Sequence, residues 1–245
     1  MANKGVKFEH DIIECYRKMP LTVAPPQSDE AAYAAYLLKQ KFPNAKLLHR
    51  DEVTLKGLGR EIKADFWVLH RDEEPIGVSV KMAGPIQLSS AEGKRTASIF
   101  EQVAGSLESS RRELLTNIVE TIGSLPRIML ARNNRPKALK RKPHLVADAV
   151  DYDKWWQDER PHINAALDKV FEDREIREAV VEEMLTGRKQ FAGTEGVADY
   201  ILTPKYFKYI DKQYVQSVAE DVRINVRGKS RAGISSGVVR FDSKI

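Results

Sequence analysis

The sequence predicts an α/β protein, a mixed central β-sheet flanked by helices, and two observations carry that expectation. Residues 62–82 alternate apolar and polar with a period of two, interrupted once by a charged turn, so they predict two paired strands. Apolar residues recur at helical spacing before this pair (Phe8, Ile12, Ile13, Tyr16) and after it (Ile99, Val103, Leu107). Helix, strands, helix and strand in that order is the pattern of a mixed α/β core.

Taken in order, residues 7–18 predict an amphipathic helix, and the prolines at 20, 25 and 26 a connector. Ser28 is the expected N-cap of a second helix over Ala31–Lys41, which must stop before Pro43. Ala45–His49 predicts a strand, Val53–Leu55 a weak one, and Gly57 and Gly59 a turn. Ser89-Ser90-Ala91-Glu92 has the form of a capping box ahead of a helix. Further helices are expected over Arg111–Ile122 and Ile163–Met184, and strands at Arg127–Ala131 and Ala198–Leu202. Tyr206, Phe207, Ile210, Tyr214, Val215 and Val218 predict an aromatic helical stripe. Val222–Arg227 and Val238–Phe241 predict a closing two-stranded ribbon around Gly228–Gly233.

The chain has 245 residues, 40 Lys and Arg against 35 Asp and Glu, and hence a formal net charge of +5. The sequence pI near 9.1 leans towards a polyanionic partner. Cys15 is the one cysteine, so an internal disulfide is excluded and a reducing, intracellular setting is expected. No apolar run has the length of a membrane span and the N-terminus lacks a signal peptide's apolar region, so a soluble cytoplasmic protein with no membrane partner is expected. The five histidines show no metalloprotease spacing, and no nucleotide-binding glycine loop or serine-hydrolase elbow is present.

Strand parity locates the chemistry. Ile62, Ala64, Phe66, Val68, Ile76, Val78, Val80 and Met82 share one face. Lys63, Asp65, Trp67, Ser79 and Lys81 share the other, and a turn centred on Glu73 would set Asp65 across from Lys81. A carboxylate and a lysine on adjoining strands suit phosphodiester hydrolysis, in which a metal on carboxylates activates water and a lysine offsets charge. The same pair can equally be an ordinary cross-strand ion pair on a solvated face.

Ala64-Asp65 followed by Ser79-Val80-Lys81 on the next strand, after an N-terminal helix, resembles the PD-(D/E)xK nucleases. Their signature is an aspartate on one strand and an acid-x-lysine triplet on the next. Here the proline before Asp65 is absent and Ser79 replaces the second acid. One branch of restriction enzymes has a similar Ser/Thr-x-Lys triplet, with the acid supplied from the following helix. The resemblance therefore implies Asp65, Lys81 and Glu92 as catalytic residues, Asp65 with Glu92 or Glu101 as metal ligands, and Mg2+ or Mn2+ as cofactor. It also implies Glu30 as the family's optional helix-one acid and Gln87 as an auxiliary polar group.

On that resemblance the whole chain, 1–245, is one nuclease domain. Its restriction-endonuclease-like core spans about residues 28–131, and a DNA-binding elaboration spans about 132–245. Arg132, Arg135, Lys137, Lys140, Arg141 and Lys142 form one basic segment, and Arg227, Lys229 and Arg231 belong to another, both suited to phosphate contacts with double-stranded DNA. The expected function is metal-dependent endonucleolytic cleavage of DNA, of restriction, homing or phage type. RNA as substrate and assembly as a homodimer stay open. The rivals are a catalytically inactive DNA-binding protein on the same fold and a non-enzymatic interaction module.

Overall fold

The computed structural model describes residues 4–22, 24–26, 29–52, 62–70, 74–82, 86–131, 140, 144, 146, 149–231 and 234–243. The chain begins with helices α1 (Lys4–Lys18) and α2 (Glu30–Lys41), then strand β1 (Lys46–His49) and a 3-10 turn (Arg50–Glu52). Strands β2 (Phe66–Leu69), β3 (Ile76–Val80) and β4 (Ile86–Glu92) follow, then α3 (Gly93–Ala104), α4 (Ser109–Gly123), β5 (Met129–Leu130) and β6 (Val150–Asp151). A helical turn (Tyr152–Lys154) and a π-helical stretch (Trp155–Glu159) lead into α5 (Arg160–Val170) and α6 (Arg174–Thr186). The rest is β7 (Tyr200–Leu202), β8 (Phe207–Tyr209), α7 (Lys212–Asp221), β9 (Arg223–Arg231) and β10 (Ile234–Ser243). The chain divides into two compact units, Met1–Ile86 with Glu182–Ser217, and Gln87–Val181 with Val218–Ile245.

The first unit is built on a five-stranded mixed sheet in the order β1-β2-β3-β7-β8. The β1/β2, β2/β3 and β7/β8 pairs are antiparallel and β3/β7 is parallel. Phe8, Ile12, Ile13 and Tyr16 of α1 and Ala31, Ala34, Ala35 and Leu38 of α2 pack with Phe66, Val68, Val78 and Val80 in one core. The Tyr16 hydroxyl donates to the Phe42 carbonyl and accepts the Ala45 N–H, tying α1 to the connection between α2 and β1. Asp29, rather than Ser28, caps α2, its carboxylate accepting the N–H groups of Ala31 and Ala32. Ser28, Val53–Leu55, Gly57 and Gly59 lie outside the described residues.

The strand pair departs from its expected register. Phe66 faces Val78 and Val68 faces Ile76, a two-residue slide from the pairing that would set Asp65 across from Lys81. A slide of two preserves parity, so the hydrophobic pattern cannot distinguish the two registers. The choice falls to polar contacts: the Asp65 N–H donates to the Val78 carbonyl at 2.8 Å and the Asp65 carboxylate accepts the Val80 N–H at 2.7 Å. Residues 62–65 are not part of β2, because Lys63 N–H donates to the Gly196 carbonyl instead.

The polar face is not solvated. Asp65, Trp67 and Ser79 are all buried. Residues 195–199, the last part of the segment after α6, line it: the Trp67 indole N–H donates to the Glu195 carbonyl at 2.7 Å, and Gly77 N–H to the Asp199 carboxylate at 3.2 Å. Glu183, buried near the end of α6, accepts the N–H groups of Lys189 and Gln190 and so fixes the start of this segment. The expected helical stripe beginning at Tyr206 is divided here. Phe207–Tyr209 is strand β8, hydrogen-bonded to β7, and only the residues from Lys212 onward are helical.

In the second unit α3 packs on α4 at Gly93, where a Cβ would sit 2.1 Å from the Ile122 carbonyl oxygen. Residues 86–92 form a strand, so Ser89–Glu92 is no capping box, and Glu92 precedes α3 without a side-chain cap bond. β9 and β10 pair along their length, from Arg223 with Asp242 to Arg231 with Ile234, through the glycine-containing stretch expected to be their turn. Phe100, Phe171 and Phe241 form an aromatic cluster there. Trp155 is buried in the core, while Trp156 stacks with the Tyr152 ring and carries the Arg160 guanidinium over its ring. No described helix is long and apolar enough to cross a membrane.

Gly77 tests the covering of the polar face. A Cβ there would sit 2.0 Å from the Val197 carbonyl oxygen, a backbone atom that cannot swing away. Gly77→Ala should lower the unfolding free energy by about 2 kcal/mol or more. Gly105→Ala, with φ −55° and its nearest neighbour at 3.4 Å, should change it by no more than about 0.5 kcal/mol. Urea unfolding of the two variants checks this.

Candidate active site

Five segments of the first unit bring their polar and ionisable residues to one place. α1 supplies Glu9 and His10, the end of β1 supplies His49, and the 3-10 turn supplies Arg50, Asp51 and Glu52. Asp65 precedes β2, and Ser79 and Lys81 sit at the end of β3. Asp65 Oδ2 accepts the Val80 N–H at 2.7 Å and the Ser79 hydroxyl at 3.3 Å, and Oδ1 lies 3.1 Å from Arg50 Nη1. Lys81 Nζ donates to Ser79 Oγ at 2.9 Å. Ser79 is thus the link between Asp65 and Lys81.

A second carboxylate lies alongside. Glu9 Oε2 is 3.4 Å from Arg50 Nη2 and 3.0 Å from His49 Nε2. One guanidinium therefore bridges Glu9 and Asp65, which are 6% and 8% exposed, as buried charges require. Burial, and then the Asp65 charge, push the Glu9 pKa up to about 7, against the opposing pull of Arg50 and Lys81. Burial, with the adjacent His10 ring, pushes the pKa of the His49 ring down. Its Nδ1 accepts the Asp51 N–H at 3.2 Å, so the ring proton is on Nε2 and is donated to Glu9.

Of the residues implied by the resemblance, Asp65 and Lys81 meet through Ser79 in this unit. Glu92 and Glu101 are exposed residues of the other unit, at the end of β4 and on α3, and Gln87 is exposed on β4. Glu30 is the exposed first residue of α2; the helix acid beside Asp65 is Glu9 on α1. Lys140 is exposed, whereas Arg132, Arg135, Lys137, Arg141 and Lys142 lie outside the described residues. Arg227, on β9, donates to Asn225 at 2.7 Å and lies 4.0 Å from Asp242, and Lys229 and Arg231 follow on the same strand.

Sequence reasoning missed Glu9, His49 and Arg50. One signal was available: Glu9, Ile13 and Tyr16 are spaced i, i+4, i+7, which puts a carboxylate in phase with the apolar stripe of α1. A charge in that phase must find a buried partner.

Because the Glu9 pKa is raised in the folded state, that state holds a proton the unfolded chain has already released between pH 4.5 and about 7. Its contribution to stability is present below pH 4.5 and is lost as the pH rises through about 7. The stability difference between wild type and Glu9→Gln should therefore shift in favour of the variant from pH 5 to pH 8. Urea unfolding across that range measures it, and parallel curves for the two proteins would contradict the assignment.

No protein-family model matches the chain, and neither a curated protein nor a solved structure was found that matches it.

Proposed function

We propose that the chain is a metal-dependent nuclease that hydrolyses DNA phosphodiester bonds with Asp65, Lys81 and Glu9, on a restriction-endonuclease-like core. The supporting observation is the convergence of Asp65 and Lys81 on Ser79 at a buried sheet face, beside a second buried carboxylate, Glu9. The donor chemistry suits a hard divalent cation, since Asp65 and Glu9 offer carboxylate oxygens and already share one positive partner, Arg50. Asp65 and Glu9 would hold Mg2+ or Mn2+, which when bound supplies Lewis-acid stabilisation of phosphoryl charge and a more acidic water. Lys81 places a positive charge two residues beyond Ser79, where it can neutralise a phosphate oxygen. The basic segments named from the sequence, Lys140 and Arg227 among them, would contact the DNA backbone.

One observation favours a second reading. Arg50 pairs with both carboxylates, so a built-in cation stands between the groups a metal would use. With a serine in the triplet's acid position, that is also the arrangement expected of a DNA-binding protein without catalysis.

With Mg2+, wild type should nick supercoiled plasmid. Asp65→Asn and Lys81→Met should each lose about 10²-fold or more in rate, and chelation should abolish cleavage. Equal cleavage by both variants would sink this site. A wild type that binds DNA with a steep salt dependence yet leaves it intact selects the inactive reading. A slope near zero removes nucleic acid altogether.

A further inference from the structure

Beside the carboxylate pair lies a cluster of different chemistry. We propose that His10, His49 and Asp51 form a separate cation site for a borderline transition metal such as Zn2+. One donor atom from each residue lies within 4.8 Å of the others. His49 Nδ1 is 3.5 Å and His10 Nε2 3.7 Å from Asp51 Oδ2. Ligands on a tetrahedral ion with bonds of about 2.0–2.1 Å stand about 3.4 Å apart, so small side-chain movements close the site.

Three features besides proximity point to a metal. The first is the tautomer: the Nδ1 lone pair of His49 is directed at Asp51, where the backbone N–H now shares it, and an ion would take it over. The second is the support behind that ring. A metal-ligating histidine characteristically donates its other N–H to a carboxylate, and His49 Nε2 does this to buried Glu9 at 3.0 Å. The third is placement. His49 is fully buried at the end of β1 and its ring lies 4.0 Å from that of His10, while His10 and Asp51 are exposed. One rigid and two accessible ligands give an ion a route in and leave a fourth position for water. Two imidazoles and one carboxylate select zinc, cobalt or nickel over magnesium. No sequence motif announces this site, because its ligands come from a helix and from a strand end and turn about forty residues later.

The site stands independently of the nuclease reading, since binding is measured without DNA. Titration of the full chain with Co2+ as the probe should give one equivalent bound with visible d–d absorption, displaced by Zn2+ but not by millimolar Mg2+. His10→Ala and Asp51→Asn change exposed residues and should each weaken binding at least about 10-fold. Glu9→Gln should weaken it about 10- to 100-fold while leaving all three ligands in place. No stoichiometric binding by wild type, or equal binding by His10→Ala, overturns the proposal. Displacement by Mg2+ does so too, by assigning the ion to the Asp65 and Glu9 carboxylates.

Discussion

The carboxylate of Asp65 is the constraint on which the first unit's chemistry depends. It accepts the Val80 N–H and the Ser79 hydroxyl with one oxygen and pairs with Arg50 through the other. The first contacts lock β2 against β3 in a register that apolar packing alone leaves undecided. The ion pair holds Arg50 where it also reaches Glu9, and the Arg50 N–H returns to the Asp65 carbonyl. Loss of this one group would leave a buried N–H without its acceptor and a guanidinium short of a partner, costs that are individually several times a surface ion pair.

Around it the charges are few and shared. Glu9, Asp51 and Asp65 are set against Arg50 and Lys81, with His49 between Glu9 and Asp51. Arg50 serves two carboxylates, and burial of Glu9, with the Asp65 charge beside it, raises the Glu9 pKa to about 7. A site in this condition gains from additional positive charge, whether a metal ion or a protonated group, and that supports reading it as a place where cations act.

Much of the fold was legible because periodicity reports burial. The apolar stripe of α1, the alanine-rich α2 ending before Pro43, and the alternation through β2 and β3 were all read from spacing, as was the sharing of one face by Asp65 and Lys81. Four things were not. The register slid by two residues, to which alternation is blind. Ser89–Glu92 carries a local helix-start signal that strand pairing overrode, and Phe207 fits a helical stripe as well as it fits a strand beside β7. Glu9, His49 and Arg50 are joined only by the packing of α1 near the end of β1, a contact that no local window of sequence contains.

The order of the segments has a consequence for synthesis. Gly77 and Asp199, whose hydrogen bond closes the covered face, are 122 residues apart. At ribosomal rates of about 5–20 residues per second, the nascent chain carries Asp65, Trp67 and Ser79 for roughly 6–24 s before residues 195–199 exist to cover them. The β2/β3 hairpin is local and can pair at once, whereas the parallel β3/β7 contact closes a long loop and comes late. Until then an apolar strand edge and an indole stand open to other chains, so the emerging protein is most exposed to misassembly at the very face that, once finished, is sealed around Asp65 and Ser79.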